Sequence, residues 1–389
     1  MCNDVRRSSL LSRSGFLGAV SAAALPLFAD PARALAQAQE AAGTQGAQIV
    51  TPLGLSPANR RAADIASRSP FVKVLTAQAF SMAQSIGDAK LRNTAIGILI
   101  DPRPLYMGKY RDMHARVDLR DRLARAGFVA ADAPIEGIFP PISDTGLAQP
   151  FWSAPGSDTN GHHSYPGGLC VHELFNARMS AKFSQTYDAQ YFDGASAVNG
   201  DLTIASAFYH DIMKTIVFQY RDDGTFFDEL TIAGTGAHHT LSGAEAIVRG
   251  EDPRFVAVLL SAHAAPSLGD EAKVIAWCRA ASMIAGVDPV EYGLLRATGD
   301  GFALAFEAPI EMFVSHLSDH DYVLSIHAAR AVRSMLEKIA PTFGIAASDA
   351  SRLNWWRLEI SSAASDIALY HELTKSESAF LAAVKRASV

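Results

Sequence analysis

The sequence predicts an all-α fold, in which a main helical domain follows an additional helical region at its N-terminal side. Apolar residues recur three and four positions apart over most of the chain, as in segment 71–82. Alternation of apolar and polar residues, which is typical of strands, is scarce. With 49% hydrophobic and 9% aromatic residues among 389, the chain has the composition of a globular protein with a large core.

The first 36 residues are similar to an export signal. Arg6, Arg7 and Arg13 give a positively charged start, an apolar stretch follows at 16–29, and Ala34-Leu35-Ala36 supplies a small-residue cleavage pattern. The paired arginines are typical of the twin-arginine export route. The apolar stretch is shorter than the roughly 20 residues that a membrane span needs. We therefore predict a periplasmic or secreted protein with no stable membrane span after cleavage; a membrane-surface helix or a disordered tail is the alternative.

Composition and periodicity divide the chain into five predicted segments. These are the export signal at 1–36, a linker at 37–58, an N-terminal helical region at 59–150, a main helical domain at 151–345 and C-terminal helices packed on that domain at 346–389. The clearest predicted helices are 171–183, 202–220, 242–249, 254–262 and 271–285, and further helical stretches run over 309–339 and 361–386.

Charge and cysteine content limit the function classes. The net charge is −6 and no basic run follows the N-terminal segment, so we expect no binding of duplex DNA. Beyond the signal only Cys170 and Cys278 remain, and their spacing is not that of a zinc motif. We expect two free buried thiols, with one disulfide as the alternative. The sequence carries no signal for an oligomeric state.

A tight loop precedes the first candidate metal ligand. The paired His162 and His163 lead through Pro166 and two glycines to a predicted helix that presents His172 in its first turn. An imidazole in that position projects toward the middle of a helical bundle, as a metal ligand must. His163 is a candidate substrate contact, and a role in structuring the loop is the alternative.

A second motif lies late in the predicted helix 202–220. His210 and Asp211 are adjacent there, so that an imidazole nitrogen and a carboxylate can both reach one ion. Lys214 lies one helical turn beyond His210 and is a candidate phosphate contact.

Together the two motifs resemble the HD-domain family of metal-dependent phosphohydrolases. Gly-Gly-Leu-x-x-His ends at His172 and His-Asp-x-x-Lys begins at His210, and the resemblance covers roughly 160–290. It is strongest to the subset whose first motif opens with paired histidines, which includes 3′-to-5′ exoribonucleases. The resemblance implies an HD-domain helical bundle with an N-terminal helical extension. It also implies one or two divalent metal ions, with Mn, Fe, Ni, Zn and Mg as candidates.

The resemblance extends to two histidines further along the chain. His239 stands four residues before Gly243, and His263 matches the next histidine position of the family. The implied metal ligands are His172, His210, Asp211, His239 and His263. The implied activity is hydrolysis of a small phosphate mono- or diester, nucleotides included, with Asp211 also acting in catalysis.

The chain departs from the family pattern at the last ligand. Where the family has an Ala-Asp pair, this chain has Cys278-Arg279, and Asp288 has the wrong spacing to replace the aspartate. We expect Arg279, with Lys214, to contact the substrate and to stabilise the charge that develops on the phosphoryl group.

Two alternatives stay open. One, which the missing carboxylate suggests, is a non-catalytic HD fold that binds an anionic ligand or a partner protein. The other is an HD-domain di-iron oxygenase, which would need that carboxylate as much as a hydrolase does. His316 and His320, with Asp319 and Asp321 beside them, have a spacing that can bind a metal on one helix face. We interpret this group as a solvated polar face.

Overall fold

The computed structural model describes residues 54–142, 146, 148–267 and 269–388. The predicted all-α class is confirmed, because helices dominate these residues and the strands form only two small hairpins. The predicted export signal at 1–36 and most of the predicted linker lie outside the described residues.

Four helices form the N-terminal region. They are α1 (Pro57–Arg68), α2 (Pro70–Gln84), α3 (Ala89–Ile100) and α4 (Met113–Arg125), with 3₁₀ turns at Leu105–Lys109 and Ile135–Gly137. The first two begin where the sequence offers a cap, since the hydroxyls of Ser56 and Ser69 accept backbone N–H bonds and a proline follows each serine.

Seven helices make up the middle of the chain. They are α5 (Gly168–Tyr191), α6 (Gly200–Ala207), α7 (Lys214–Val217), α8 (Ala237–Val248), α9 (Pro253–Leu260), α10 (Glu271–Ala285) and α11 (Ile310–Ser318). The long α5 begins after Gly167, whose φ of +92° favours glycine. A Cβ atom at Gly167 would lie 2.6 Å from the side chain of Val72, so glycine also lets α2 approach this loop.

Two antiparallel hairpins interrupt the helices. Strand β1 (Thr231–Ile232) pairs with β2 (Thr235–Gly236), and β3 (Leu295–Thr298) pairs with β4 (Gly301–Leu304). The first hairpin leads directly into α8, so it fixes where that helix begins.

The C-terminal part contains α12 (Tyr322–Ile339), a 3₁₀ turn at Ala340–Phe343, α13 (Ala350–Ala364), α14 (Asp366–Lys375) and α15 (Glu377–Ala387). A hydrophobic cluster that includes Val332, Ile360 and Phe380 holds these helices together. The main core takes in residues from Ala58 to Leu358 and therefore joins the N-terminal and middle helices. The division into five segments stays a prediction.

One predicted helix is wrong as a continuous element, because segment 202–220 breaks after α6 into turns at 208–213. The two predicted helical stretches are helical but divided: 309–339 breaks between α11 and α12, and 361–386 spans all of α14 and parts of α13 and α15. In the first case residues 205–220 are all buried, so the apolar pattern has no exposed face to mark the break. His210 and Asp211 therefore lie in a turn rather than late in a helix.

Two further expectations concern the cysteines and membrane-spanning helices. Cys170 and Cys278 are both free and buried, so the prediction of two buried thiols is confirmed. Among the helices of the described residues, none is both long and apolar enough to cross a bilayer.

Candidate metal centre

Five parts of the chain deliver ionisable side chains to one buried point. His172 comes from the second turn of α5, His210 and Asp211 from the turns after α6, His238 from the start of α8, His263 from the residues after α9, and Asp319 from the end of α11. The helices pack around this point, so the polar side chains that they and the adjoining turns carry lie inside the main core.

Asp211 lies at the centre of the cluster. Its Oδ2 is 3.1 Å from Nε2 of His172 and 3.4 Å from Nε2 of His210. Its Oδ1 is 3.1 Å from Nε2 of His238 and 3.6 Å from Nε2 of His263. One carboxylate therefore faces four imidazoles.

Asp319 supplies a second carboxylate on the other side of the same histidines. Its Oδ1 is 3.2 Å from Nε2 of His172 and 3.5 Å from Nε2 of His210, and its Oδ2 is 3.5 Å from Nε2 of His263. The interpretation of Asp319 and Asp321 as part of a solvated face is wrong, because both side chains are buried. Helix α11 ends at Ser318, and the turn that follows directs both carboxylates inward.

Asp319 thus adds a second carboxylate to the cluster, and this carboxylate does not come from α10. Asp288, which follows α10, is exposed and accepts backbone N–H bonds from Val290 and Glu291.

The donor set fits a divalent transition metal. The ligand atoms of His172, His210 and Asp319 all lie within 4.8 Å of one another, and so do those of His210, Asp211 and His263. Nδ1 of His210 is 2.8 Å from the carbonyl of Ala207, to which it donates, so the Nε2 lone pair faces the two carboxylates. That Nε2 atom has no hydrogen-bond partner among the described residues.

His238 has the orientation of a metal ligand with a supporting carboxylate. Its Nδ1 is 2.5 Å from Oε1 of Glu229, while its Nε2 faces Asp211 and has no hydrogen-bond partner among the described residues. A histidine held in this way by a carboxylate is typical of metal sites.

His239, the predicted ligand on the same helix, lies deeper. Its ring stacks on His263 with 4.2 Å between centroids and contacts Trp277 edge-on. Both of its ring nitrogens lack hydrogen-bond partners in the described part of the chain. Burial, together with the nearby His263 and His238, holds the pKa of His239 well below its ordinary value. The structure thus brings His238 rather than His239 to Asp211.

The electrostatics couple acids and bases tightly. Burial opposes charge on Asp319, but hydrogen bonds from His172 and His210 outweigh it and hold the pKa of this carboxyl well below its usual range. Burial also opposes charge on His210, but Asp211 and Glu173 raise its pKa well above the ordinary value. A cation bound here would take over the role of protons on these imidazoles.

Lys214 lies beside Asp211 rather than at an open face. Its ammonium group forms a buried ion pair with Oδ2 of Asp211 and donates to the carbonyl of Gly156 at 2.6 Å. The structure therefore gives Lys214 the position of a group that orients and neutralises Asp211, and the predicted phosphate contact stays a prediction.

Arg279 is not brought to the cluster. Its guanidinium carbon lies 5.2 Å from the ring centroid of Phe128 and 5.0 Å from that of Phe302. Trp277, two residues earlier on α10, contacts His239, and two residues on a helix are roughly 200° apart. Arg279 thus lies on the opposite side of α10, and the geometry does not support its predicted catalytic and substrate-binding roles.

His163 structures the loop in front of α5. Its Nε2 is 2.6 Å from Oδ2 of Asp321, and its Nδ1 is 3.2 Å from the hydroxyl of Tyr165. The ring is buried and lies 6.0 Å from that of His172, while His162 lies 4.8 Å from His172. These contacts favour the alternative interpretation, in which His163 holds the loop against the cluster.

Two polar residues that the motifs did not single out support the ligands from α5. Oε2 of Glu173 is 3.1 Å from Nδ1 of His210, and the amide of Asn176 donates to Oδ1 of Asp319 at 2.8 Å. Asn176 lies one turn after His172 on the same helix face, so the spacing alone indicates that the two side chains share surroundings. Asp319 had no such local signal.

Over part of its length the chain is similar to a phosphodiesterase. It is 33% identical over 126 residues to the dihydroneopterin 2′,3′-cyclic phosphate phosphodiesterase of Methanocaldococcus jannaschii. The aligned residues make up 32% of this chain and 47% of that phosphodiesterase, so the chain spans about half the length of this relative. No protein-family model matches the chain, and no solved structure matches it.

Proposed function

We propose that the protein hydrolyses a phosphate ester at a divalent metal centre of the HD-domain type. The observation that carries the proposal is the buried cluster in which Asp211 and Asp319 face the same set of histidine nitrogens. Buried charged groups are costly unless they pair or bind metal, and this cluster offers more ligand atoms than its internal hydrogen bonds use.

The relative supports phosphate esters as the substrate class. Its name gives a 2′,3′-cyclic phosphate as the group it cleaves. We infer that this chain acts on a small phosphodiester, with cyclic nucleotide phosphates as the first candidates and phosphomonoesters as the second.

The side chains of the cluster have three roles: they hold the metal, keep Asp211 ionised and orient His238. A divalent ion held by His172, His210, Asp211 and Asp319 would supply Lewis-acid activation of water and of a phosphoryl oxygen. Lys214 keeps Asp211 ionised through their buried ion pair, so the carboxylate remains available as a ligand. Glu229 holds a proton on Nδ1 of His238 and leaves Nε2 free to face Asp211.

Substrate would reach this cluster from the side of His263. The side chain of His263 is 25% exposed, whereas those of His172, His210 and Asp211 are 1% exposed. Thr235, at the end of the first hairpin, lies 3.5 Å from Nδ1 of His263 and forms part of the same opening.

Asp319 bears on the two alternatives. The sequence suggests a non-catalytic fold because Arg279 stands where the family has an aspartate; the carboxylate of Asp319, which faces His172 and His210, supports a metal site instead. A di-iron oxygenase would use a similar shell of histidines and carboxylates, so it enters as an outcome of the test rather than as a second proposal.

The test combines metal analysis with hydrolysis by protein purified without a histidine tag. Metal is measured by inductively coupled plasma mass spectrometry, and phosphate release or ring opening is followed with 2′,3′-cyclic AMP, bis(p-nitrophenyl) phosphate and p-nitrophenyl phosphate. We expect near-stoichiometric metal and hydrolysis that a chelator abolishes. Asp211→Asn should lose both, while its circular dichroism spectrum stays that of the wild type.

Two results would overturn the proposal. One is the absence of bound metal even after reconstitution with Mn, Fe, Ni, Zn or Mg. The other is bound iron with oxygen consumption but no hydrolysis of any phosphate ester, which would favour the oxygenase.

A further inference from the structure

A cleft with an arginine-rich wall lies beside the metal centre, on the other side of the loop at 159–164. Its volume is about 380 Å³, and α12 contributes Arg330 and Arg333 while α13 contributes Arg357. Gly161 and Ser164 of the loop form the facing wall. Three arginines thus line one space that a small molecule can enter.

The guanidinium groups have too few carboxylates to neutralise them. Nε of Arg333 is 3.1 Å from Oε1 of Glu337, and Nη1 of Arg357 is 3.5 Å from the same oxygen. Within the described residues this is the salt bridge that both arginines share, and Arg330 has none there. Asp366 also lines the cleft, where its Oδ1 accepts the hydroxyl of Ser361 at 2.6 Å.

Burial makes this excess of positive charge costly. The side chain of Arg357 is 12% exposed, and burial lowers its pKa to about 10, with repulsion from Arg333 acting in the same direction. Burial raises the pKa of Asp366, and the nearby Arg357 acts against that rise. An oxyanion placed between the guanidinium groups would relieve the repulsion and accept their free N–H donors.

We propose that this cleft binds a phosphate group, either as free phosphate or as the terminal group of a larger ligand, at a site separate from the metal centre. Arginine forks suit the geometry of phosphate oxygens, whereas apolar or cationic ligands would leave the repulsion in place. Leu336 and Leu358 also line the cleft, and a ligand with a carbon skeleton can contact them.

The loop at 159–164 separates the two sites and contacts both. Arg333 donates through Nη1 to the carbonyl of Thr159 at 3.0 Å and to Oδ1 of Asn160 at 2.7 Å. On the other face of the loop, the rings of His162 and His163 lie against His172. A phosphate bound in the cleft would thus rest on the segment that also holds these histidines in place.

The test measures phosphate binding to the metal-free protein by isothermal titration calorimetry in the presence of a chelator, which removes phosphate binding by a metal. We expect saturable binding of inorganic phosphate at one site. Arg357→Gln and Arg330→Gln should each weaken binding by roughly tenfold or more. Arg352→Gln, which changes an exposed arginine of α13 outside the cleft, should leave the affinity unchanged.

Glycerol 3-phosphate distinguishes the two sources of the phosphate group. Tighter binding of the ester than of inorganic phosphate supports a larger ligand, and equal affinity supports free phosphate. Absence of saturable binding of both probes overturns the proposal, as does wild-type affinity in the Arg330→Gln variant, whose exposed side chain can be changed without disturbing the core.

A further variant separates this site from the metal centre. Asp211→Asn should bind phosphate as the wild type does, even if it loses metal and hydrolysis. Loss of phosphate binding in a folded Asp211→Asn variant would contradict a separate site, whereas loss of hydrolysis with retained binding would leave the cleft assignment intact.

Discussion

Asp319 and His172 lie against each other in the protein interior, with Oδ1 of Asp319 3.2 Å from Nε2 of His172. Asp319 follows the end of α11 and His172 lies on α5, so the contact depends on how these two helices pack. Asn176 donates its amide to the same Oδ1 at 2.8 Å and fixes the carboxylate. In chain order, His172 is the first histidine of the cluster and Asp319 is its last carboxylate, so this contact connects two distant parts of the sequence.

Replacing Asp319 should remove metal. We expect Asp319→Asn to lower metal affinity by at least roughly tenfold, because a neutral amide replaces a buried negative charge that faces three histidines. Asp321→Asn is the matched control, since Asp321 pairs with His163 outside the cluster. Metal content after dialysis against a weak chelator is the measurement, and equal metal retention by both variants would contradict the assignment.

The neighbouring histidines of α8 should behave differently. We expect His238→Ala to lower metal affinity by roughly tenfold or more, because Nε2 of His238 lies 3.1 Å from Asp211 with Glu229 behind it. His239→Phe should keep the metal, since that ring is packed between His263 and Trp277. The opposite pattern in metal analysis would restore His239 as the ligand, as the sequence resemblance implies.

Lys214 should contribute to the unfolding free energy of the protein through its buried ion pair with Asp211. Lys214→Met removes one of the cationic groups that face the buried Asp211, with His210 still beside it, and breaking a buried pair from one side costs up to about 3–5 kcal/mol of unfolding free energy. We expect this loss in urea denaturation of the metal-free protein and a smaller loss when a divalent metal is present. Lys273→Met, which removes an exposed pair with Asp270, serves as the control and should have little effect. An equal loss with and without metal would show that the cation and Lys214 do not share Asp211.

The two thiols should be unreactive in the folded protein. Burial raises the pKa of both Cys170 and Cys278 to about 12. Because the thiolate is the nucleophile, a raised pKa keeps these groups protonated and slow to react between pH 7 and about pH 10. In a Cys2→Ser variant, which leaves only these two thiols, labelling with 5,5′-dithiobis(2-nitrobenzoic acid) at pH 8 should proceed only in denaturant. Rapid labelling of the native protein would indicate that α5 or α10 opens locally.

The fold class and the first half of the site follow from local sequence patterns. Period-3.6 apolar residues indicate the helices, and serine or aspartate side chains cap seven of the fifteen helix starts in the described residues. The loop before α5 carries its glycines at the close approach to α2. The structure brings together His172, His210, Asp211 and His263, four of the five residues that the motif resemblance implies as ligands.

The second half of the site depends on tertiary packing. Nothing in the spacing of Asp319 from its neighbours distinguishes a buried carboxylate from a solvated one, because burial is decided by how α11 packs on α5. The choice between His238 and His239 depends on the rotation of α8, which the hairpin before it and Glu229 set. A shift of one residue in register changes which imidazole meets Asp211.

Arg279 provides the sharpest test of structure against sequence. The motif spacing assigns it to phosphate binding, whereas the structure packs it on Phe128 and Phe302. We expect Arg279→Gln to leave kcat/KM for a phosphate ester within roughly twofold of the wild type and to lower the unfolding free energy by about 1 kcal/mol, the size of a cation–π contact. Steady-state kinetics and urea denaturation of this variant, beside Arg254→Gln as a second arginine that packs on a phenylalanine, measure both quantities. A large loss of kcat/KM in Arg279→Gln alone, with stability unchanged, would mean that α10 turns toward the site when substrate binds.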